Sequence, residues 1–234
     1  MLNFIFPSIC ISCKQPVTTQ GICNDCQSGI KFLNKNQSCF ICGVPFAFMN
    51  LGKDVEHLCA RCLKGEFYFA KARGVAYFDG LLRDLLHGFK YRRKLHIGKI
   101  LSDIFTANIP SDLNSFNLIV PVPIYLKKLR EREFNQTAIL SKNISETVKC
   151  EYDPFTLYKI KETPPQITFE KLHERKRNVR NFFSVRDAKK IKRRSILLVD
   201  DVYTTGSTVN ECSRVLLNAG AASVQVLTLM RANK

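Results

Sequence analysis

The chain has 234 residues and a mass of 26.7 kDa, room for one or two domains. Apolar residues make up 45% and charged residues 24%, which excludes a disordered, fibrous or membrane-bundle protein. The 36 Lys and Arg against 20 Asp and Glu leave a formal charge of +16, an excess that suits a polyanionic partner better than an ordinary small-molecule substrate.

The first ten residues, MLNFIFPSIC, have no basic start. Their apolar run is too short for a signal peptide or a membrane span. A reducing compartment is therefore expected, and disulfides are not. Eight of the ten cysteines form Cys-x-x-Cys pairs: Cys10/Cys13, Cys23/Cys26, Cys39/Cys42 and Cys59/Cys62. Intervals of 9, 12 and 16 residues separate successive pairs. A Cys-x-x-Cys turn aims two thiolates at one point, and two such turns complete a closed tetrahedral zinc site. Four copies with no strand–helix unit around them argue against a thioredoxin-like redox motif. Eight thiolates fill two tetrahedra. Spacing favours sequential pairing, first with second and third with fourth, although interleaved pairing meets the same spacings. His57 is near enough to substitute, but the thiolates suffice. Cys150 and Cys212 stand alone and read as buried small apolar residues. Gly43 lets the turn after Cys42 close tightly. So short a segment buries too little to fold on apolar grounds, and the metal is expected to supply the missing stability. The pairs stop before Lys64-Gly65, which sets the expected domains at residues 1–66, a Cys-rich zinc-binding domain, and 67–234.

From Phe67 onward strands and helices alternate. Strands are expected at 72–78, 118–122, 155–160, 196–199 and 223–229, and helices at 80–89, 95–105, 134–148 and 209–218. The order argues an α/β domain with a mainly parallel sheet. Residues 161–194 break the pattern. Between Lys171 and Arg194 there are 11 Lys and Arg against Glu174 and Asp187 alone. This stretch reads as a mobile basic loop, with a short helix near 172–178, facing an anion.

The most informative run is ILLVDDVYTTGST, residues 196–208. Four apolar residues make a buried strand, and Asp200 and Asp201 follow at its C-terminal end. A turn then leads through Thr204, Thr205 and Gly206 to Ser207 and Thr208, which open a helix. Backbone N–H groups in such a turn, with a helix N-terminus behind them, cradle a phosphate. Two carboxylates would repel that phosphate. They make sense as acceptors for vicinal hydroxyls on the sugar that carries it.

This run resembles the 5-phosphoribosyl-1-pyrophosphate (PRPP) motif of type I phosphoribosyltransferases. That resemblance implies that Asp200 and Asp201 hold the ribose 2′ and 3′ hydroxyls, and that Thr204, Thr205, Gly206, Ser207 and Thr208 hold the 5′-phosphate, with Mg²⁺ on the pyrophosphate. Over nearly its full length the chain resembles the ComF family of competence proteins. The four Cys pairs, FKYRRK (89–94), PVPIYLKKLREREFNQT (121–137), TPPQ (163–166), ERKRNVRNFF (174–183) and the PRPP loop follow one another in that family's order. The family run before the central helix usually reads Arg-Gly-Phe-Asn-Gln; here Glu133 replaces the Gly. The resemblance implies a phosphoribosyltransferase-like domain behind a zinc finger. It places pyrophosphate at 121–124, near Lys127, Lys128, Arg130 and Arg132, and a closing loop at 161–180. It further implies handling of single-stranded DNA on the cytoplasmic side during natural transformation, with competence proteins at the inner face of the membrane as partners.

Aromatics interleaved with cations suit single strands, because bases stack on rings while phosphates meet the cations. Phe89, Lys90, Tyr91, Arg92, Arg93 and Lys94 are the candidate DNA contacts, with Arg175, Arg177 and Arg180 on the basic loop. The alternative is an active phosphoribosyltransferase with an unknown acceptor. No side chain is singled out as catalytic.

Overall fold

The computed structural model describes residues 8–18, 21–46, 56–91, 95–161 and 181–232. In chain order its elements are α1 (Asn24–Ser28), α2 (Ala60–Leu63), β1 (Lys71–Tyr77), α3 (Gly80–Tyr91), α4 (Leu95–Ala107), β2 (Leu118–Pro121) and α5 (Leu126–Arg132). There follow α6 (Gln136–Val148), β3 (Glu151–Tyr152), β4 (Leu157–Lys159), β5 (Phe183–Val185), β6 (Ser195–Tyr203), α7 (Ser207–Asn218) and β7 (Ser223–Arg231). The main sheet runs β1-β7-β6-β2-β3, with every adjacent pair parallel.

A parallel sheet covered on both faces needs strands that are apolar on both sides. Strand β6 shows this residue by residue. Leu197 and Val199 face a core built with α3, α4 and α6, while Ile196 and Leu198 face a second core with α7. Helix α3 buries Leu82, Leu85, Leu86 and Phe89 at helical spacing. Cys212 is buried in the second core as expected, whereas Cys150 is only partly buried.

The structure differs from the sequence reading in several places, among them the unexpected edge strand β3 and a β6 that runs on to Tyr203. Helix α5 shows in the sequence only as a basic run. It is amphipathic too weakly to show periodicity, and none of its seven residues is buried. The strand expected at 155–160 is the short β4, which pairs antiparallel with β5 outside the main sheet. Strand β5 falls inside the stretch expected to be loop, and is held because Phe183 is buried in the second core. The short helix expected at 172–178 lies outside the described residues.

Contacts cross the compositional boundary near residue 66. Residues 31–33 run antiparallel to β1, with the Leu33 N–H donating to Val75 O at 2.9 Å and the Tyr77 N–H to Lys31 O at 2.9 Å. The Cys-rich segment therefore covers what would be an open sheet edge. Gly43 has φ +66°, and a Cβ there would lie 2.6 Å from the Ala72 carbonyl, so the turn after Cys42 approaches β1 closely through a glycine.

Candidate functional site: two four-cysteine clusters and a phosphate loop

The eight paired cysteines gather as two groups, Cys10/Cys13/Cys23/Cys26 and Cys39/Cys42/Cys59/Cys62, with ligand atoms in each within 4.8 Å of one another. Pairing is sequential, and His57 belongs to neither group. Four thiolates about 2.3 Å from zinc stand roughly 3.8 Å apart. Here Cys13 and Cys23 Sγ are 3.6 Å apart, as are Cys42 and Cys59 Sγ. Backbone amides point at the sulfurs, Cys23 N–H to Cys10 Sγ and Cys59 N–H to Cys39 Sγ, each at 3.4 Å. That is the donor pattern that stabilises thiolates, so the residues fit zinc at both places.

At the carboxyl end of the sheet, β6 carries Asp200 and Asp201 within the strand rather than after it. The Asp201 N–H donates to Asp200 Oδ1 at 2.8 Å. Burial, then the neighbouring Asp201 charge, pushes the Asp200 carboxyl up to about 7. The turn ends at Gly206, φ +78°, where a Cβ would lie 2.2 Å from the Tyr203 hydroxyl, so a side chain there would be strained and would displace Tyr203. Thr205 Oγ1 accepts from the Ser207 N–H at 3.3 Å and lies 2.8 Å from Ser207 Oγ. Among the described residues the N–H groups of Thr204, Thr205 and Gly206 meet no acceptor. They remain available for phosphate oxygens at the start of α7.

Lys90, expected as a DNA contact, reaches this site: its Nζ lies 2.6 Å from Asp201 Oδ2. Phe89 is corrected. It is wholly buried against Phe134, ring centroids 5.1 Å apart, and offers no face to a base. Tyr91 is 61% exposed, which leaves it open to stacking. The Arg132 guanidinium sits 4.9 Å from its ring centre and donates to its hydroxyl at 3.2 Å. The structure thus brings the basic face of α5 to the end of α3. Arg92, Arg93, Lys94, Arg175, Arg177 and Arg180 lie outside the described residues. Glu133 adopts φ +68° as the C-cap of α5, so the family glycine at this point answers to a left-handed backbone.

Two residues absent from the sequence reading join the clusters to the loop. Arg61, between Cys59 and Cys62, donates to the Thr205 carbonyl at 3.0 Å. Arg231, at the end of β7, donates to the Cys42 carbonyl at 2.7 Å and stacks 4.1 Å from the Tyr203 ring centre. Their sequence signal is slight: one hides inside a Cys-x-x-Cys pair, the other follows an apolar strand. A cleft of about 580 Å³ opens between them, bordered by Cys42, Cys59, Phe46 and Thr204.

A double zinc ribbon domain model matches residues 1–63, and a phosphoribosyl transferase domain model matches residues 138–234. The DNA utilization protein YhgH of Escherichia coli K12 is 31% identical over 96% of this chain and 97% of its own length. Competence protein F of Haemophilus influenzae is 30% identical over 99% of this chain and 100% of its own. The chain belongs to the ComF family of competence proteins. This ComF chain has the phosphoribosyltransferase-like fold with a Cys-rich double zinc ribbon in front, and its two four-cysteine clusters fit that ribbon. A structure of an allosteric regulatory enzyme of purine biosynthesis matches 56% of the ComF chain and 25% of its own, at 18% identity and a TM-score of 0.38. Among the described residues of the ComF chain no helix is long and apolar enough to cross a membrane.

Proposed function

We propose that this chain handles single-stranded DNA during natural transformation, on the cytoplasmic side and near the competence proteins at the inner face of the membrane. It does so with a site that binds PRPP and Mg²⁺. The observation that carries this reading is the Lys90–Asp201 contact at 2.6 Å, which ties the basic, aromatic end of α3 to the phosphate loop. The names of the relatives, DNA utilization protein and competence protein, support the biological role. Asp200 and Asp201 would accept hydrogen bonds from the ribose hydroxyls, and the loop from Thr204 to Thr208 would hold the 5′-phosphate. Magnesium would neutralise charge on the pyrophosphate. Tyr91 and Arg132 would offer a stacking face to a base, with the cations of 92–94 on phosphates.

Fluorescence anisotropy with labelled oligonucleotides at several salt concentrations tests the DNA half. Single strands should bind more tightly than duplex. Arg92→Ala with Arg93→Ala should flatten the log–log salt slope by roughly 1 to 1.5, at about 0.7 per phosphate contact. Tyr91→Ala should lower affinity and leave the slope nearly unchanged. Equal affinity for duplex and single strand would contradict the reading. The intact phosphate loop favours a second reading, an active phosphoribosyltransferase with an unknown acceptor. Pyrophosphate release from PRPP, with and without nucleobases or single strands, discriminates the two.

A further inference from the structure

The two four-cysteine clusters do not stand in the same relation to the phosphate loop. The first has one buried ligand, Cys10; the second has three, Cys39, Cys42 and Cys62, within the core that also holds Tyr203 and Val209. Four thiolates around Zn²⁺ carry net negative charge, and burying that charge demands a partner. Arg231 is 6% exposed, and among the described residues no carboxylate lies within ion-pair reach of it. Its guanidinium instead donates to the carbonyl of Cys42, a ligand of the second cluster. Arg73, also buried, donates to the Cys39 and Phe40 carbonyls at 3.4 and 2.8 Å and pairs with Asp112 at 2.6 Å. A zinc-loaded second cluster would supply the negative charge that Arg231 otherwise lacks among the described residues.

The same groups hold the loop. The Arg231 guanidinium sits over the Tyr203 ring, and the Tyr203 hydroxyl fills the space where a Cβ on residue 206 would go. Arg61 is fixed through Nε by Glu66 at 3.1 Å and by the Phe67 ring at 4.5 Å, and a terminal guanidinium nitrogen donates to Thr205 O. Just beyond, the Asn210 side chain of α7 accepts from the Tyr68 N–H at 2.6 Å and donates to Glu66 O at 3.0 Å. Two sides of the loop are thus fastened to the segment that carries Cys59 and Cys62. The cations around the 580 Å³ cleft are already engaged, Lys31 by Asp79, Arg61 by Glu66 and Arg231 by the Cys42 carbonyl, which suits them to fastening rather than to holding a ligand.

We propose that the second zinc cluster is a working part of the phosphoribose site, with Arg61 and Arg231 as positioning residues, and that occupancy of each raises the affinity of the other. The first cluster takes no part. The proposal rests on the reading of residues 200–208 as a PRPP site. Coupling of this kind is reciprocal in affinity, so a ligand on the loop must tighten the hold on the metal that supports it, and slower loss to a chelator is the expected sign.

The test uses the full chain loaded with two zinc ions. Zinc release to a chromogenic chelator is followed with and without saturating PRPP and Mg²⁺, and calorimetry on the same sample reports PRPP binding. Release should occur in two phases. PRPP should slow one of them about fivefold or more and leave the other unchanged, and Cys13→Ser, lacking a first-cluster ligand, should retain the protected phase. Arg61→Ala should keep two zinc ions and the wild-type circular dichroism spectrum, lose about tenfold in PRPP affinity and lose the protection; Arg61→Lys should fall between. If PRPP binds but slows neither phase, or both equally, the coupling is refuted. Wild-type PRPP affinity in Arg61→Ala refutes it independently. Absence of any PRPP binding overturns the PRPP reading and the coupling together.

Discussion

The two four-cysteine clusters are built from the same motif and differ in what surrounds them. Three ligands of the second are buried in the core shared with β6 and α7, and its carbonyls take hydrogen bonds from two buried arginines. The first exposes Cys13 and leaves Cys23 and Cys26 half-buried, touching the other core through Ile11, Ile22 and Ile30. One motif can therefore serve as a peripheral staple or as part of a larger domain's core, depending on what its backbone carbonyls meet.

The largest expected effect separates the two. Cys42→Ser should release one zinc and cost several kcal/mol across the whole chain, because it leaves Arg231 buried beside a broken cluster. Cys13→Ser should also release one zinc, yet lower the main thermal transition less than Cys42→Ser does, since only one ligand of the first cluster is buried. Thermal melts followed by circular dichroism, with zinc counted by native mass spectrometry, would erase the distinction if both variants melted alike.

The next effect lies at the loop. Gly206→Ala should cost about 2–4 kcal/mol, from a left-handed backbone and from a methyl group driven into Tyr203. It should abolish PRPP binding, as read by calorimetry. Adding Tyr203→Phe should recover part of the stability by removing the hydroxyl that the methyl meets.

Asp200 gives a pH signature. Its folded pKa, about 7, lies above its unfolded value of about 4. The ligand-free chain therefore loses stability from this group as pH rises through that window. Asp200→Asn should remove the loss, so that its midpoint in scanning calorimetry falls less than wild type between those pH values. Binding of the sugar hydroxyls favours the ionised carboxyl, so wild-type PRPP affinity should rise with pH up to about 7 and then level off.

The smallest effect is a control remote from both clusters. Glu133→Gly should stabilise the chain by about 1 kcal/mol by relieving φ +68° at the end of α5, with zinc content unchanged. Urea titration would check it.

Much of this is legible in the sequence, for identifiable reasons. Cys-x-x-Cys turns and the run from Ile196 to Thr208 encode their geometry in contiguous residues, so the clusters and the strand–turn–helix at Gly206 appear where spacing puts them. The apolar spacing of α3 and the continuous apolar run of β6 point to the parallel sheet. What cannot be read is set by contacts far apart in the chain. Arg61 and Thr205 are 144 residues apart, and Cys42 and Arg231 are separated by 189. Phe89 reads two ways, as the last apolar position of the helix at 80–89 and as an aromatic in a basic run, and the α3 face that carries Leu82, Leu85 and Leu86 takes it into the core. Lys90 looks like a phosphate contact because it sits in that run, and only the fold brings it to Asp201.

Hydrogen exchange read by mass spectrometry, with and without PRPP and Mg²⁺, tests the union of second ribbon and loop most directly. The account predicts slower exchange in residues 200–208 and also in 39–46 and 56–66, with residues 10–18 and 21–26 unchanged. Protection confined to the loop, or shared equally by both ribbons, would contradict it.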